Sequence, residues 1–177
     1  MAKKKMIKRK SVSKPRSTRK VARPPLPTGS NIEVIARAVI VHRGRVLLCQ
    51  SVKHGYLYLP GGHVEFGEAA AAAAAREIEE ELGVNLSMGS LAMVSEGVFN
   101  AKRRHHEINL VFHVELSNRA SPIPQGLLKP KSREKHIAFR WVDLAAAQDL
   151  DIRPTAVKAW LAGGMDGEGV EWISEVP

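Results

Sequence analysis

A single cysteine, Cys49, occurs in the 177 residues, so the chain can form no internal disulfide and no cysteine-built metal cage. It sits in the apolar run VLLCQ and reads as a small core residue. Aromatic residues are few, 5% against 44% hydrophobic overall, and the length suits one well-packed domain rather than two. No stretch is long and apolar enough to span a membrane, and no apolar segment follows the basic amino terminus as a secretory signal requires. A soluble cytoplasmic protein is expected. His63 has none of the histidine or cysteine companions a zinc site needs.

Acid is absent from residues 1–29, which hold eleven Lys/Arg among Ser, Thr and Pro. The remaining 16 Lys/Arg and 18 Asp/Glu leave the rest of the chain at about −2, so the net charge of +9 belongs to this arm. Such a segment has too little apolar surface to fold and is expected to be a disordered basic arm, with nucleic acid as a possible partner through counterion exchange. Residues 30–177 form the expected folded domain.

What the sequence has in concentration is one stretch, GGHVEFGEAAAAAAAREIEEELGV, from Gly61 to Val84. Glu77, Glu80 and Glu81 are spaced three and four apart, which places them within one face of a helix, while Glu79 falls on the opposite side. Like charges at that spacing destabilise a bare helix, and hard oxygen donors beside a glycine turn point to Mg²⁺ or Mn²⁺. The alanines from Ala69 to Ala75 favour helix and offer a slim surface to a sheet, and Gly83 is placed for a left-handed cap. The helix is expected over about 67–82.

Gly62, Glu68, Arg76, Glu77, Ile78, Glu80, Glu81, Gly83 and Val84 fill every fixed position of the pattern G-x5-E-x7-R-E-U-x-E-E-x-G-U, with U aliphatic. In this the chain resembles the Nudix hydrolases. Seven of those positions demand one residue type, so chance accounts for a match on the order of one start site in 10⁸. The resemblance implies an α/β fold, a Nudix-type α/β/α sandwich with a mixed central sheet. It also implies Mg²⁺-dependent hydrolysis of a nucleoside diphosphate linked to another moiety, by water attack at phosphorus. Charge alone argues the same way: glutamates repel a diphosphate unless a cation bridges the two.

Carried onto this chain, the resemblance makes Glu80 and Glu81 the principal metal ligands, Glu77 a ligand or the base, and the Gly61 carbonyl a further ligand. Arg76 would orient the carboxylates, and Glu68 would be a structural partner of loop and helix. Outside the box, Glu134 is the candidate for an additional carboxylate from the loop before the late strand. Arg103 and Arg104 could meet phosphate, and Phe99 could stack on a base. A proline or tyrosine about sixteen residues beyond the box marks some subfamilies, and EGVFNAK has neither. A general nucleotide or nucleotide-sugar pyrophosphohydrolase is therefore expected. The alternatives are an RNA 5′-end pyrophosphohydrolase using the arm, or a non-catalytic nucleotide-binding domain; the intact box favours an enzyme.

Around this unit, IEVIARAVIV and VLLCQSV read as two strands of a hairpin turning at Gly44, with Tyr56–Pro60 leading to the glycines. SLAMVSEGVF and HEINLVFHVEL read as paired strands. Residues 117–135 read as an irregular loop. HIAFRWVDL is expected as a strand ending at Asp143, a plausible cap for LAAAQ. TAVKAWLAG reads as a last helix behind Pro154, and EWISEV as a final strand.

Overall fold

A computed structural model describes residues 31–100, 104–114, 116, 123–165 and 167–176. The basic arm and Arg103 lie outside the described residues. Five strands form a mixed sheet in the order β5-β1-β7-β6-β9: β5 (Gly61–His63), β1 (Asn31–Val39), β7 (Arg104–Val114), β6 (Met88–Asn100) and β9 (Glu171–Ser174). A second, antiparallel sheet centres on β3 (Arg45–Ser51). Strands β2 (Val41–His42) and β4 (Leu57–Tyr58) lie on one side of it and β8 (Ile137–Asp143) on the other.

The hairpin read from the sequence shrinks to its tip. Val41 and His42 pair with Val46 and Arg45 around Arg43 and Gly44, both at positive φ (51° and 74°), as a two-residue type I′ turn requires. The longer part of the first strand instead pairs with β7 in parallel and with β5. Val39 and Ile40 are both buried, on opposite faces and in different apolar clusters, and the chain changes sheets here, since β1 ends at Val39 and β2 begins at Val41. The main cluster joins the sheets to helix α3 (Thr155–Ala162) through Val39, Leu48, Leu59, Met93, Val111 and Trp160.

Helix α1 (Ala70–Leu82) starts three residues later than the glycine run suggests, because Glu68 is engaged by a side chain of the helix instead of entering it. Fully buried Ala73 and Ala74 lie in a cluster with Ala36 of β1, small residue against small residue, which brings the helix close to the sheet. At its end Gly83 adopts φ 69°, and its N–H donates to the Glu79 carbonyl at 2.8 Å. The expected irregular loop contains a helical turn, α2 (Gln125–Leu128), which its buried Leu127 anchors and whose Leu127 carbonyl accepts the Trp141 indole N–H at 2.7 Å. Asp143 stands before a 3₁₀ helix, Leu144–Asp149, but makes no capping bond; it pairs with Arg45 at 3.4 Å.

Candidate active site

The phase of α1 is set by Ala74, Ile78 and Leu82, which are buried. That phase turns Glu81 inward, 4% exposed, leaves Glu77 half-buried, and puts Glu79 and Glu80 in solvent. The glycine turn meets the helix at Glu77: a side chain on Gly62 would begin 2.5 Å from both Glu77 carboxylate oxygens. Gly61, at φ 128°, would drive a Cβ into the Ala36 carbonyl, so this position too admits only glycine.

One guanidinium ties the unit together. Arg76 reaches both Glu68 oxygens at 2.9 and 3.1 Å, Glu77 at 2.8 Å, Glu80 at 3.4 Å and the His63 carbonyl at 3.1 Å. The hydrogen bond from Arg76 holds the Glu68 carboxyl below its usual range. Glu81 behaves oppositely. Burial pushes its carboxyl up to about 8, with Glu77 and Glu134 adding to the rise and Arg37 and the Gly61 backbone opposing it. Its Oε2 lies 4.0 Å from the thiol of Cys49, which burial likewise pushes well above the ordinary thiol value.

Arg37 was hidden in the sequence as the lone cation of an apolar strand. Its Nη1 donates to the carbonyls of Gly61 at 2.7 Å and Leu59 at 3.2 Å, and the guanidinium lies 5.4 Å from the centre of the Tyr58 ring. It thereby grips the carbonyl expected to ligate a metal. Arg133, also unforeseen, fixes the other end of α1: its N–H donates to the Glu81 carbonyl at 2.8 Å and its side chain to the Glu79 carbonyl at 3.3 Å. The guanidinium fills the space beside Gly83 that a side chain would need. The next residue, Glu134, is close enough for its charge to act on Glu81, and its carboxylate pairs with His136 at 3.1 Å.

Among the described residues no three His, Cys, Asp or Glu side chains converge into a ready-made metal cage. Arg76 holds Glu77 and Glu80, while Glu81 faces Cys49. The donor chemistry nevertheless fits a hard divalent cation. A buried carboxyl that keeps its proton because of burial and two neighbouring carboxylates is a place where a cation can replace the proton.

The structure places Phe99 away from these carboxylates, and the backbone of Arg104 pairs with Asn100, next to Phe99 on β6. Gly61, Arg37, Val111 and Met93 lie in one row across the sheet, and Phe99 is six residues further along β6 from Met93, ~20 Å at strand rise. Phe99 stacks there on His105, with centroids 5.3 Å apart and an interplanar angle of 9°.

Comparison with known proteins matches residues 33–161 to the model of the NUDIX domain. A Mycobacterium tuberculosis protein named "Putative 8-oxo-dGTP diphosphatase 2" is 33% identical over 134 residues, covering 73% of this chain and 86% of that protein. The crystal structure of MutT NUDIX hydrolase from Burkholderia pseudomallei aligns at TM-score 0.53 with 28% identity, over 75% of this chain and 97% of the other. The MutT protein from Methanosarcina mazei Go1 aligns at TM-score 0.59 with 22% identity, over 77% and 95%, and speaks for the fold alone.

Proposed function

The chain belongs to the Nudix hydrolases, enzymes acting on phosphoanhydride bonds, and from that premise we propose that it is a Mg²⁺- or Mn²⁺-dependent pyrophosphohydrolase of nucleoside di- and triphosphates or related nucleotides. The observation that carries this is the meeting of Glu77 with Gly62 and of Glu81 with Gly61, Arg37 and Glu134 at one end of α1. Glu77, Glu80, Glu81 and the Gly61 carbonyl would hold the cation. The chemistry a divalent cation supplies there, when bound, is neutralisation of phosphate charge and a more acidic water.

The rest is done by the chain. Arg76 keeps Glu77 and Glu80 side by side without joining the substrate, since its donors are spent on carboxylates and the His63 carbonyl. Arg37 fixes the Gly61 carbonyl and places positive charge against Glu81. Glu77 or Glu134 is the group to accept the proton of the attacking water, and the two differ in test: Glu134 has no hold on the glycine turn. Residues 30–177 form the catalytic domain in this reading. The 33% identity to a protein named for 8-oxo-dGTP puts oxidised and ordinary deoxynucleoside triphosphates first among substrates to try.

The test is turnover of a panel with Mg²⁺: deoxynucleoside triphosphates and 8-oxo-dGTP, nucleotide sugars, ADP-ribose, dinucleoside polyphosphates and 5′-triphosphate RNA. Release of pyrophosphate or phosphate from at least one nucleotide, abolished by chelator, is expected. Binding without any turnover would instead make this a nucleotide-binding domain.

A further inference from the structure

The face of the five-stranded sheet opposite Arg37 is covered by α1 only in part. Strand registers align Ala36 with Trp172 in one row across β1, β7, β6 and β9, Val34 with Glu96 and Ser174 in the next, and Ile32 with Val98 in the last. Ala36 lies under Ala73 and Ala74 of the helix. Away from that contact the face is apolar and exposed: Ile32 is 60% and Trp172 58% accessible, with Val34 and Val98 exposed between them. Ile173 packs against the main cluster on the other side of β9, which holds Trp172 on the outer face. The one carboxylate in these rows is Glu96, whose Oε1 accepts the Ser174 hydroxyl at 2.7 Å and whose Oε2 lies 3.4 Å from His106 Nε2.

A contiguous apolar patch around a few polar groups marks an interaction surface, and what covers it is written in the chain leading to it. β1 begins at Asn31, so the preceding residues join the sheet at the rim of this face, beside Ile32. Residues 21–30 lie outside the described residues, but their sequence differs from the rest of the arm. Ten of the eleven Lys/Arg of residues 1–29 fall in 1–20, whereas 21–27, VARPPLP, has Arg23 alone among apolar residues and prolines. Thr28, Gly29 and Ser30 then supply turn formers before β1. A proline-rich segment favours the extended polyproline conformation and docks on aromatic and apolar side chains at little cost in entropy. At ~3.1 Å per residue, 21–27 covers ~19 Å, against ~14 Å for the strand spacings from β1 to β9. Entering over Ile32, it would carry Arg23 ~12 Å across, to the level of Glu96 and Ser174 on β6 and β9.

We propose that residues 21–27 of the same chain lie across this face, with Val21 and Leu26 on its apolar side chains and Arg23 at Glu96. The ten cations of residues 1–20 then leave at the β9 edge, the opposite side of the sheet from the glycine strand β5. Both β9 and residues 21–27 lie outside residues 33–161, so this cover is an addition to the NUDIX domain. A second copy of the face would bring its own Glu96 and no Lys or Arg from these rows, so charge favours the arm segment.

Acrylamide quenching of Trp172, read as the difference between the full chain and its Trp172→Phe variant, tests the cover. In the unchanged chain Trp172 should be quenched at least about threefold less readily than in a full-length Val21→Asp/Leu26→Asp variant, since carboxylates are not buried against apolar side chains. Those two changes fall outside the folded domain, so this comparison decides the matter even if variants within the sheet fail to fold. A Val21→Cys/Ser174→Cys chain should close a disulfide within one molecule at least about tenfold faster than Lys5→Cys/Ser174→Cys, because docking raises the local concentration of the first pair. Equal quenching with and without the Asp changes overturns the proposal, as does equal closure of the two cysteine pairs. Disulfides formed between chains instead of within one, or a dimer by sedimentation that persists in the Asp variant, also overturn it and give the face to a second copy.

Discussion

The Glu77 carboxylate occupies the space where a side chain on Gly62 would start, with both oxygens 2.5 Å from that point. The first glycine of the motif and the first glutamate of the cluster are thus one contact, made through the absence of an atom. Gly62→Ala should displace the Glu77 carboxylate and loosen its 2.8 Å bond to Arg76. Turnover should fall at least about tenfold, while overpacking lowers stability by about 1–3 kcal/mol. Kinetics and thermal melts on the same preparation check both; wild-type turnover would mean that Glu77 need not sit there.

Position on α1 should matter more than charge. Glu80→Gln and Glu81→Gln each remove a proposed ligand and should abolish most Mg²⁺-dependent hydrolysis with an unchanged circular-dichroism spectrum. Glu79→Gln should keep turnover within about twofold, because Glu79 is exposed on the other side of the helix and contributes only its carbonyl, to Gly83 and Arg133. Equal damage at 79 and 80 would contradict the helical phase on which the site rests.

Glu81 also gives the metal-free protein a pH dependence of definite sign. Its carboxyl is pushed up to about 8 when folded, against roughly 4.3 in an unfolded chain. Between those values the folded state holds a proton that the unfolded state has lost. The stability tied to that proton is full below about pH 4 and is lost as pH rises to about 8. In chelator, the melting temperature should therefore decline from pH 5 to pH 8, and Glu81→Gln should flatten the decline. Added Mg²⁺ should raise the melting temperature more at pH 8 than at pH 6, since it takes the proton's place. A Mg²⁺ effect independent of pH would argue against Glu81 as a ligand.

Much of this site was legible because its chemistry is local. Arg76, Glu77 and Glu80 lie within five residues of one helix, so helical spacing brings them together, Glu68 meets Arg76 from the loop just before that helix, and Gly83 announces its own left-handed cap. The residues that escaped notice reach the site through pairing of distant strands. Arg37 meets Gly61 because β1 pairs with β5, and Arg133 meets Gly83 because a loop fifty residues later docks on the helix end. A lone arginine in IEVIARAVIV was the one signal available for the first. The hairpin was overread for the same reason: alternation identifies a strand but not its partner, and β1 found β7, some seventy residues away. Phe99 shows the same limit from the other side: its place, six residues along β6 from the row of Arg37, follows from strand register and not from its type.

Arg37 should prove to be a positioning residue. Arg37→Met keeps the stem's bulk but frees the Gly61 and Leu59 carbonyls and leaves Glu81 without the cation that opposes its burial. The variant should lose about 2 kcal/mol of stability, the usual scale for hydrogen bonds from a charged donor. It should also need more Mg²⁺ for half-maximal rate, with the rate at saturating Mg²⁺ less affected. A fall in maximal rate with unchanged Mg²⁺ dependence would instead place Arg37 on the substrate.

The basic arm should separate from the chemistry. Residues 1–29 carry all of the chain's positive excess while the remainder is near −2, so a phosphate backbone would meet the arm first. Deleting 1–29 should leave hydrolysis of small nucleotides within about threefold, because no proposed ligand or positioning residue lies in it. Affinity for RNA or DNA should fall sharply on deletion, and that of the intact chain should weaken steeply with salt as several Lys/Arg release counterions. Filter binding at two salt concentrations, run on both forms beside a turnover assay, resolves the two activities. Salt-insensitive binding that survives the deletion would move the contact onto the folded domain. No binding by the intact chain would remove nucleic acid from the arm's role altogether.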